Sequence, residues 1–392
     1  MDLAIYTSIR SPHLMPLARS LSHRLGRENF HYIYTVPHDK SREGMGWGIE
    51  DEECCEYAGD GYGRALEVDC LITSFRDTEV IRHRLNLNKR TFYLSERWFK
   101  PPVGLFRLCN PGFSCMANDF CRYLDNSDFG YLAIGIHAAR DFIRLYELLH
   151  EKKLSRMRYA PLVAFESYPG GAILPVEEAL NQELINQKDL AFAQKYGFCQ
   201  IPQEKWNCAE TKGVYSKIKI WGYFVSPSQE RTSLDSRHGI LWVGRLIPWK
   251  NTSTLIKVCS EYNLPLDIYG DGPLKKDLEA IAAPCVHFHP FVPIDKIRDI
   301  MSRHKTYVLP SKAYEGWGAV INEAMEEGML VYASLESGAG ATMLPVDRLF
   351  PAWDRNALAQ LLLQDKTPIS IGEWNAECAA DYIVNQLMNK WC

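Results

Sequence analysis

The sequence predicts an α/β protein built as two doubly wound halves that face a central cleft. Three observations point there. Short apolar runs alternate with amphipathic segments through the first half, the pattern of a parallel sheet with crossover helices. The alternation restarts after a polar stretch at residues 226–238. A chain of 392 residues is long enough for two domains with complete cores.

In the first half, Leu3–Tyr6 reads as a buried strand, and Leu14, Leu17, Leu21 and Leu25 fall on one helical face. Strands follow at Tyr32–Tyr34 and Asp69–Thr73, then a helix over Glu79–Leu85, a strand at Phe92–Leu94 and a helix over Met116–Tyr123. Tyr131–Ile136 is a strand leading into a helix over Ala138–Leu149. Residues 38–66 interrupt the pattern with six glycines and an acidic run, and read as a long surface loop. Residues 150–212 are also irregular, with one helix expected over Asn181–Lys195 before a strand at Ile218–Val225. The first domain is therefore expected over residues 1–228.

The second half is expected as a domain over 239–370. Its strands are Ile240–Val243, Leu266–Tyr269, Val286–Phe291, Tyr307–Leu309 and Leu330–Ala333. Its helices are Thr252–Tyr262, Leu274–Ile281, Ile294–Ser302, Ala319–Glu327 and Ala357–Leu363. A last helix, Ala376–Met388, lies within a closing segment, 371–392. In such folds ligands bind outside the carboxyl ends of the strands.

Composition removes several function classes. With 44 Lys+Arg against 48 Asp+Glu the net charge is −4, which argues against a protein devoted to nucleic acid. No run approaches the ~20 apolar residues of a membrane span, and residues 1–10 lack the basic start and apolar core of a signal peptide. The 12 cysteines are scattered without a Cys-x-x-Cys and read as core residues of a protein in a reducing cytoplasm. Basic clusters at Arg82, Arg84, Lys89 and Arg90 and at Lys152, Lys153, Arg156 and Arg158 read first as a solvated face; peripheral contact with anionic lipid on the cytoplasmic side is the second reading.

Three segments carry chemistry. In Tyr314–Ala324 (YEGWGAVINEA), Gly316 and Gly318 allow a tight turn into a helix whose first amides suit an anion. Glu315 precedes that helix and Glu323 lies about a turn inside it. Carboxylates accept hydrogen bonds from sugar hydroxyls, so the combination reads as a sugar joined to a phosphate; the competing reading is a capped surface helix with Glu323 solvated. In Val243–Asn251 (VGRLIPWKN), Arg245 and Lys250 follow a strand and suit a diphosphate, or are ordinary surface cations. Tyr269–Pro273 (YGDGP) is a tight turn that turn chemistry alone explains.

Taken together, GRLIPWKN, IYGDGPLKKDLE, HPFVPIDKIRDIM and EGWGAVINEAMEEG resemble the large family four of retaining glycosyltransferases with the GT-B fold, two Rossmann-like domains about a cleft. YLSERWFKPP, YLAIGIHAARDF and KIKIWGYF in the first half are similar to a bacterial surface-polysaccharide subgroup of that family. The resemblance implies that Glu323 holds the nucleotide ribose and Glu315 the donor sugar. It implies that Arg245 and Lys250 neutralise the diphosphate, that Gly316, Trp317, Gly318, Ala319 and Val320 form the phosphate or sugar cradle, and that the base lies near Phe291 and Val292. It also implies a closing helix that crosses back to the first domain.

Where many relatives carry a histidine after the strand matched by Tyr93-Leu94, this chain has Ser95-Glu96-Arg97. Glu96 and Arg97 therefore join Arg10, His13 and His137 as acceptor-side candidates, with Glu96 also a catalytic candidate. The implied partners are a nucleotide-diphosphate sugar, as substrate rather than cofactor, and a glycan or lipid-linked glycan. No Asp-x-Asp occurs, so transfer without a metal is expected. Two rivals stay open: an epimerase acting on nucleotide sugars, and a non-catalytic sugar-binding protein.

Overall fold

In the computed structural model the described residues are 1–37, 53–59, 61–76, 78–150, 162–165, 169–171, 173–206, 208–228, 233–312 and 315–389. They divide into two units. The first takes the described residues up to Phe224 and again from Glu373; the second runs Val225–Gly372.

The first unit is organised by a seven-stranded parallel sheet. Its strands are β1 (Leu3–Thr7), β2 (Phe30–Tyr34), β3 (Cys55–Tyr57), β4 (Cys70–Thr73), β5 (Arg90–Ser95) and β6 (Phe129–Ile134). Three later strands, β7 (Leu162–Phe165), β8 (Ile173–Pro175) and β9 (Phe198–Ile201), lie outside it, and β10 (Ile218–Trp221) completes it. The order is β3-β2-β1-β4-β5-β6-β10. The order of successive strands reverses between β1 and β4, so the crevice of this sheet opens at their carboxyl ends. β1, β4 and β6 are buried along their whole length, as strands covered on both faces must be.

Two expectations are corrected here. The loop expected over 38–66 holds, in its described part, a short strand: β3 pairs with β2, Tyr32 opposite Cys55. The irregular stretch expected over 150–212 contains a separate three-stranded sheet, β8-β7-β9. It has its own apolar cluster, including Val163, Leu174, Ala193 and Ile201. Pro175 and the short lengths hid these strands, because neither alternation nor a long apolar run develops over three or four residues. The helix expected over Asn181–Lys195 is two helices, Val176–Asn181 and Gln187–Tyr196. Asn186 makes a capping box with Asp189 and so restarts the helix.

Within the cluster Arg82, Arg84, Lys89 and Arg90, three cations are engaged by backbone carbonyls. Arg84 is fully buried and donates to the carbonyls of Ala65, Val68, Asp69 and Arg90 and to the Thr91 hydroxyl. Burial lowers its pKa to about 10. Lys89 donates to the carbonyls of Leu66 and Glu67, and Arg90 to those of Leu387 and Asn389. Of the four, Arg82 is exposed, and Lys89 and Arg90 are half-buried. Lys152, Lys153, Arg156 and Arg158 lie outside the described residues. Among the described residues no helix is long and apolar enough to cross a membrane.

The second unit carries a six-stranded parallel sheet. In chain order its strands are β11 (His238–Val243), β12 (Leu266–Tyr269), β13 (Val286–His289), β14 (His304–Leu309), β15 (Leu330–Ser334) and β16 (Leu349–Phe350). The order is β13-β12-β11-β14-β15-β16, with its reversal between β11 and β14. One face buries Ile240, Trp242, Ile268, Val308 and Tyr332 against the helices Thr252–Glu261 and Arg355–Leu362. The small-residue helix Gly338–Met343 and the strand β16 were not expected from the sequence.

The closing segment belongs to the first unit. Its helix Ala376–Tyr382 continues as a π-helical turn, Ile383–Leu387. Asp381 accepts a two-pronged ion pair from Arg24 at 2.5 and 2.8 Å, and Trp374 stacks on Phe224 with centroids 6.0 Å apart. The Tyr382 ring lies where a Cβ on Gly170 would be, 2.4 Å away. Ile383 is fully buried. Ile383→Ala is expected to destabilise the first unit by about 2–5 kcal/mol, the usual cost of such a truncation in a core. Denaturant unfolding measures it, and a loss well under that range would show the segment is only loosely docked.

Candidate functional site

In the second unit the glycine segments lie at the carboxyl end of the sheet. After β11 the chain turns at Gly244, and after β12 at Gly270. A Cβ on Gly270 would sit 1.9 Å from the Gly244 carbonyl oxygen, and one on Gly272 2.5 Å from that of Leu246. Glycine is thus required by close approach of backbones. Gly244 N–H donates to Tyr269 O at 3.1 Å, Leu246 N–H to Asp271 O at 2.8 Å, and Leu274 N–H to Leu246 O at 3.1 Å. YGDGP is therefore more than a turn: it braces the loop that carries Arg245.

That loop next forms a single 3-10 turn, Pro248–Lys250, and Asn251 takes a left-handed conformation at φ 54°. Asparagine tolerates this conformation better than most residues. Its buried amide donates to Pro310 O at 3.0 Å and Ala352 O at 2.8 Å. Lys312 N–H donates to Trp249 O at 2.7 Å. The segments after β11 and β14 are thereby tied together. Across that tie Lys250 Nζ meets Glu315 Oε2 at 2.6 Å, and the same oxygen accepts from the Ser311 hydroxyl at 2.8 Å. Two residues 65 apart in sequence share one ion pair at the switch point. Arg245, earlier on the same loop as Lys250, is exposed.

The loop Gly316–Ala319 is held from behind. Gly338 has room only for hydrogen: a Cβ there would lie 2.2 Å from Gly316 O. Ala339 N–H donates to Trp317 O at 2.8 Å. Gly318 has φ 90°, and a Cβ on it would strike Leu309 at 2.7 Å. The indole of Trp317 is buried and donates to Asn322 Oδ1 at 2.8 Å. The expectation that Trp317 contributes to a donor cradle is corrected for its side chain, which is core. Phe291 is exposed and Val292 half-buried beyond β13.

Glu323 lies on the helix Val320–Glu326, which buries Ile321, Asn322, Ala324, Met325 and Glu326. This is not a solvated surface helix. Desolvation raises the Glu323 pKa to about 7; Arg298 opposes the shift and Glu327 adds to it. Arg298 is held by Glu327, Nε to Oε1 at 2.6 Å, and by Ser226 O at 3.0 Å. Tyr307 feels the charges of both candidate glutamates, and its buried hydroxyl has no hydrogen-bond partner among the described residues. Burial pushes its pKa well above the usual value, and the charges of Glu315 and Glu323 push the same way. Tyr307, Asn251, Arg298 and Glu327 were missed in the sequence; only Asn251, with its left-handed tendency after a proline-containing loop, left a signal there.

In the first unit the acceptor-side candidates separate into two kinds. Arg97 is buried and pairs with fully buried Asp141 at 3.1 and 3.2 Å, and Asp141 also accepts from Phe99 N–H at 3.0 Å. His137 is buried, and its Nδ1 takes a hydrogen bond from Arg140 at 3.0 Å, which places the ring proton on Nε2. Both serve the core. His13 and Glu96 come together with Tyr223, which the sequence did not single out. The His13 and Tyr223 rings lie 5.3 Å apart, and Tyr223 OH donates to Glu96 Oε1 at 3.5 Å. Glu96 also pairs with Lys100. Burial lowers the His13 pKa while the Glu96 charge raises it, the net being downward. Arg10 is buried with its guanidinium 5.9 Å from the Tyr34 ring centre.

Comparison with known proteins adds the following. Residues 237–364 match the family described as "Glycosyl transferases group 1". The chain is 30% identical over 140 residues to the uncharacterized glycosyltransferase YqgM of Bacillus subtilis (strain 168), a match covering 32% of this chain and 39% of that relative's length. Among solved structures it is similar to Anabaena Alr3699/HepE in complex with UDP, with TM-score 0.55 and 15% identity over 97% of this chain and 95% of that one. It is also similar to sucrose-phosphate synthase (tll1590) from Thermosynechococcus elongatus, with TM-score 0.50 and 16% identity over 99% and 98%. These likenesses establish the fold as GT-B, two Rossmann-like units in one chain.

Gly338→Ala tests the bracing of the loop. The added methyl must displace the Gly316 carbonyl, and overpacking of this kind costs about 1–3 kcal/mol. Thermal unfolding of the variant is expected to show that loss, and a variant as stable as the parent would mean that the loop has slack.

Proposed function

We propose that the protein is a glycosyltransferase that moves a sugar from a nucleoside-diphosphate sugar to a glycan or lipid-linked glycan, with retention and without a catalytic metal. The observation that carries this is the Lys250–Glu315 pair at the switch point, on the loops whose neighbouring residues include Arg245 and half-buried Glu323. The family match over 237–364 supports the same reaction class.

Lys250 and Arg245 supply positive charge where a diphosphate would depart. The first-turn amides of Ile321, Asn322 and Glu323 already donate to the carbonyls of Gly318 and Ala319, so Lys250 and Arg245 would carry the leaving group's charge. Glu323 would accept from the ribose hydroxyls and Glu315 from the sugar. When the donor binds, Lys250 exchanges its carboxylate for phosphate and leaves Glu315 Oε2 available to the sugar. Transfer breaks the anomeric carbon–phosphate oxygen bond. The departing phosphate takes the acceptor's hydroxyl proton as the new glycosidic bond forms on the same face. His13, Glu96 and Tyr223 of the first unit would bind the acceptor.

The test combines titration with free UDP and steady-state kinetics with a UDP-sugar, without added divalent cation. Glu323→Gln is expected to weaken UDP binding by roughly one to two decades, because a hydrogen bond to a charged group is worth about 1.5–3 kcal/mol. Glu315→Gln is expected to leave UDP binding intact or tighter, since it releases Lys250, and to lower kcat. Lys250→Ala should impair both. A fully active Glu315→Gln variant sinks this reading of the site.

Glu323 also predicts a pH dependence. Its pKa of about 7 leaves part of the population protonated at neutral pH. Ribose hydroxyls donate to the carboxylate, so binding releases that proton and affinity rises as pH climbs through 7. UDP affinity measured from pH 6 to 8 should rise more steeply for the parent than for Glu323→Gln, which cannot titrate. Equal slopes would assign the effect to the phosphate.

A further inference from the structure

On the second unit, away from the loops that carry Lys250 and Glu315, three ligand-type side chains converge. His238 opens β11 and His304 opens β14, and they are register partners on neighbouring parallel strands. Asp267 comes from β12, on the other side of β11. Gly239, with no side chain, lies next to His238 on the strand between them. Nitrogen and oxygen atoms of His238, Asp267 and His304 lie within 4.8 Å of one another. Asp267 and His304 are the tighter pair, Oδ2 to Nε2 at 3.2 Å.

The hydrogen bonds around this pair restrict what lies between its atoms. His304 Nδ1 is 2.8 Å from the carbonyl oxygen of Ile300. A carbonyl only accepts, so Nδ1 carries a proton and donates it. In the neutral ring Nε2 is then a bare lone pair, and it faces a carboxylate oxygen. Two acceptors at that distance repel unless a proton or a cation stands between them. The other Asp267 oxygen is already occupied: His289 Nε2 reaches Oδ1 at 2.6 Å, its ring stacked on Tyr269 at 4.3 Å.

A second imidazole favours the cation over the proton. The His238 ring lies 4.9 Å from that of His304, and a protonated His304 would gain nothing from this neighbour. A metal ion would gain a third ligand. The surroundings also match a metal centre, where a ligating histidine typically donates its other N–H to a carbonyl and a ligating carboxylate is held by a further hydrogen bond. The separation of 3.2 Å is close to the edge of a tetrahedron with bonds of about 2.0 Å. His304 is buried and fixed, whereas His238 is exposed and can swing inward as the ion enters from solvent.

We propose that His238, Asp267 and His304 bind one divalent cation of the zinc class. Imidazole nitrogen with one carboxylate oxygen is a borderline donor set that prefers zinc to magnesium or calcium. The ligands come from the openings of β11 and β14 and the interior of β12, so the ion clamps the sheet rather than taking part in transfer. Its role is structural, and it does not depend on the glycosyltransferase reading.

The experiment uses the full chain without an affinity tag, stripped with a chelator, then titrated with zinc by calorimetry and with cobalt by absorption. One zinc per chain is expected, together with a rise in Tm and a cobalt spectrum of four-coordinate type. His238→Ala, at an exposed position that leaves the fold intact, is expected to weaken zinc binding at least tenfold and to abolish the Tm shift. Asp267→Asn should do the same. Failure to take up zinc overturns the proposal. So does zinc bound equally by the parent and His238→Ala, which would place it on cysteines. A His304 ring that NMR shows to be doubly protonated and indifferent to zinc would do so as well.

Discussion

The carboxyl end of the second sheet is closed by backbone lying against backbone. Gly244 against Gly270, Leu246 against Gly272, and Gly316 against Gly338 are contacts in which even a methyl group has no place. They bring four segments that are distant in sequence to within hydrogen-bond reach of one another. Lys250, Arg245 and Glu315 are positioned by that closure together with the buried anchors Leu246, Ile247 and Trp317 on the same loops. A loop fixed through its main chain leaves its side chains free for a ligand. Backbone contact is also insensitive to which polar residues the loop displays, so the surface can vary while the scaffold stays.

Charge at this end of the sheet is arranged in pairs of unequal strength. Lys250 and Glu315 satisfy each other in the absence of a ligand, and Arg298 is held by Glu327. Glu323 is left with the weakest compensation, and its pKa is displaced most clearly toward neutrality. A carboxylate that is costly to keep ionised in a half-buried position gains most when a donor of hydrogen bonds arrives.

Much of this was legible in the sequence where periodicity runs long enough. Both large sheets were, because fully buried strands read as apolar runs and their helices are amphipathic over two turns or more. The glycine motifs with Lys250, Glu315 and Glu323 were legible because turn residues and charges lie close together there. The small sheet β8-β7-β9 was not, its strands being too short to establish a period. Arg97 and His137 looked like site residues because a charged group beside a strand end is ambiguous in one dimension; Asp141 and Arg140, which claim them, are apparent only in three. Tyr223 and the His238–Asp267–His304 group were invisible for the same reason, each being assembled from strands that the sheet order, not the chain order, makes neighbours.

The closing segment has a consequence for how the molecule is made. Among the described residues the second unit draws on a single stretch of the chain, Val225–Gly372, whereas the first needs residues from both ends. During synthesis the seven strands of the first sheet emerge well before the helix that covers Trp221, Phe224 and Gly170. The second unit can therefore finish packing while the first still exposes an apolar flank. Assembly runs against the usual order in which the amino-terminal domain is completed first. For that interval the nascent first unit is the part of the chain most in need of protection from aggregation.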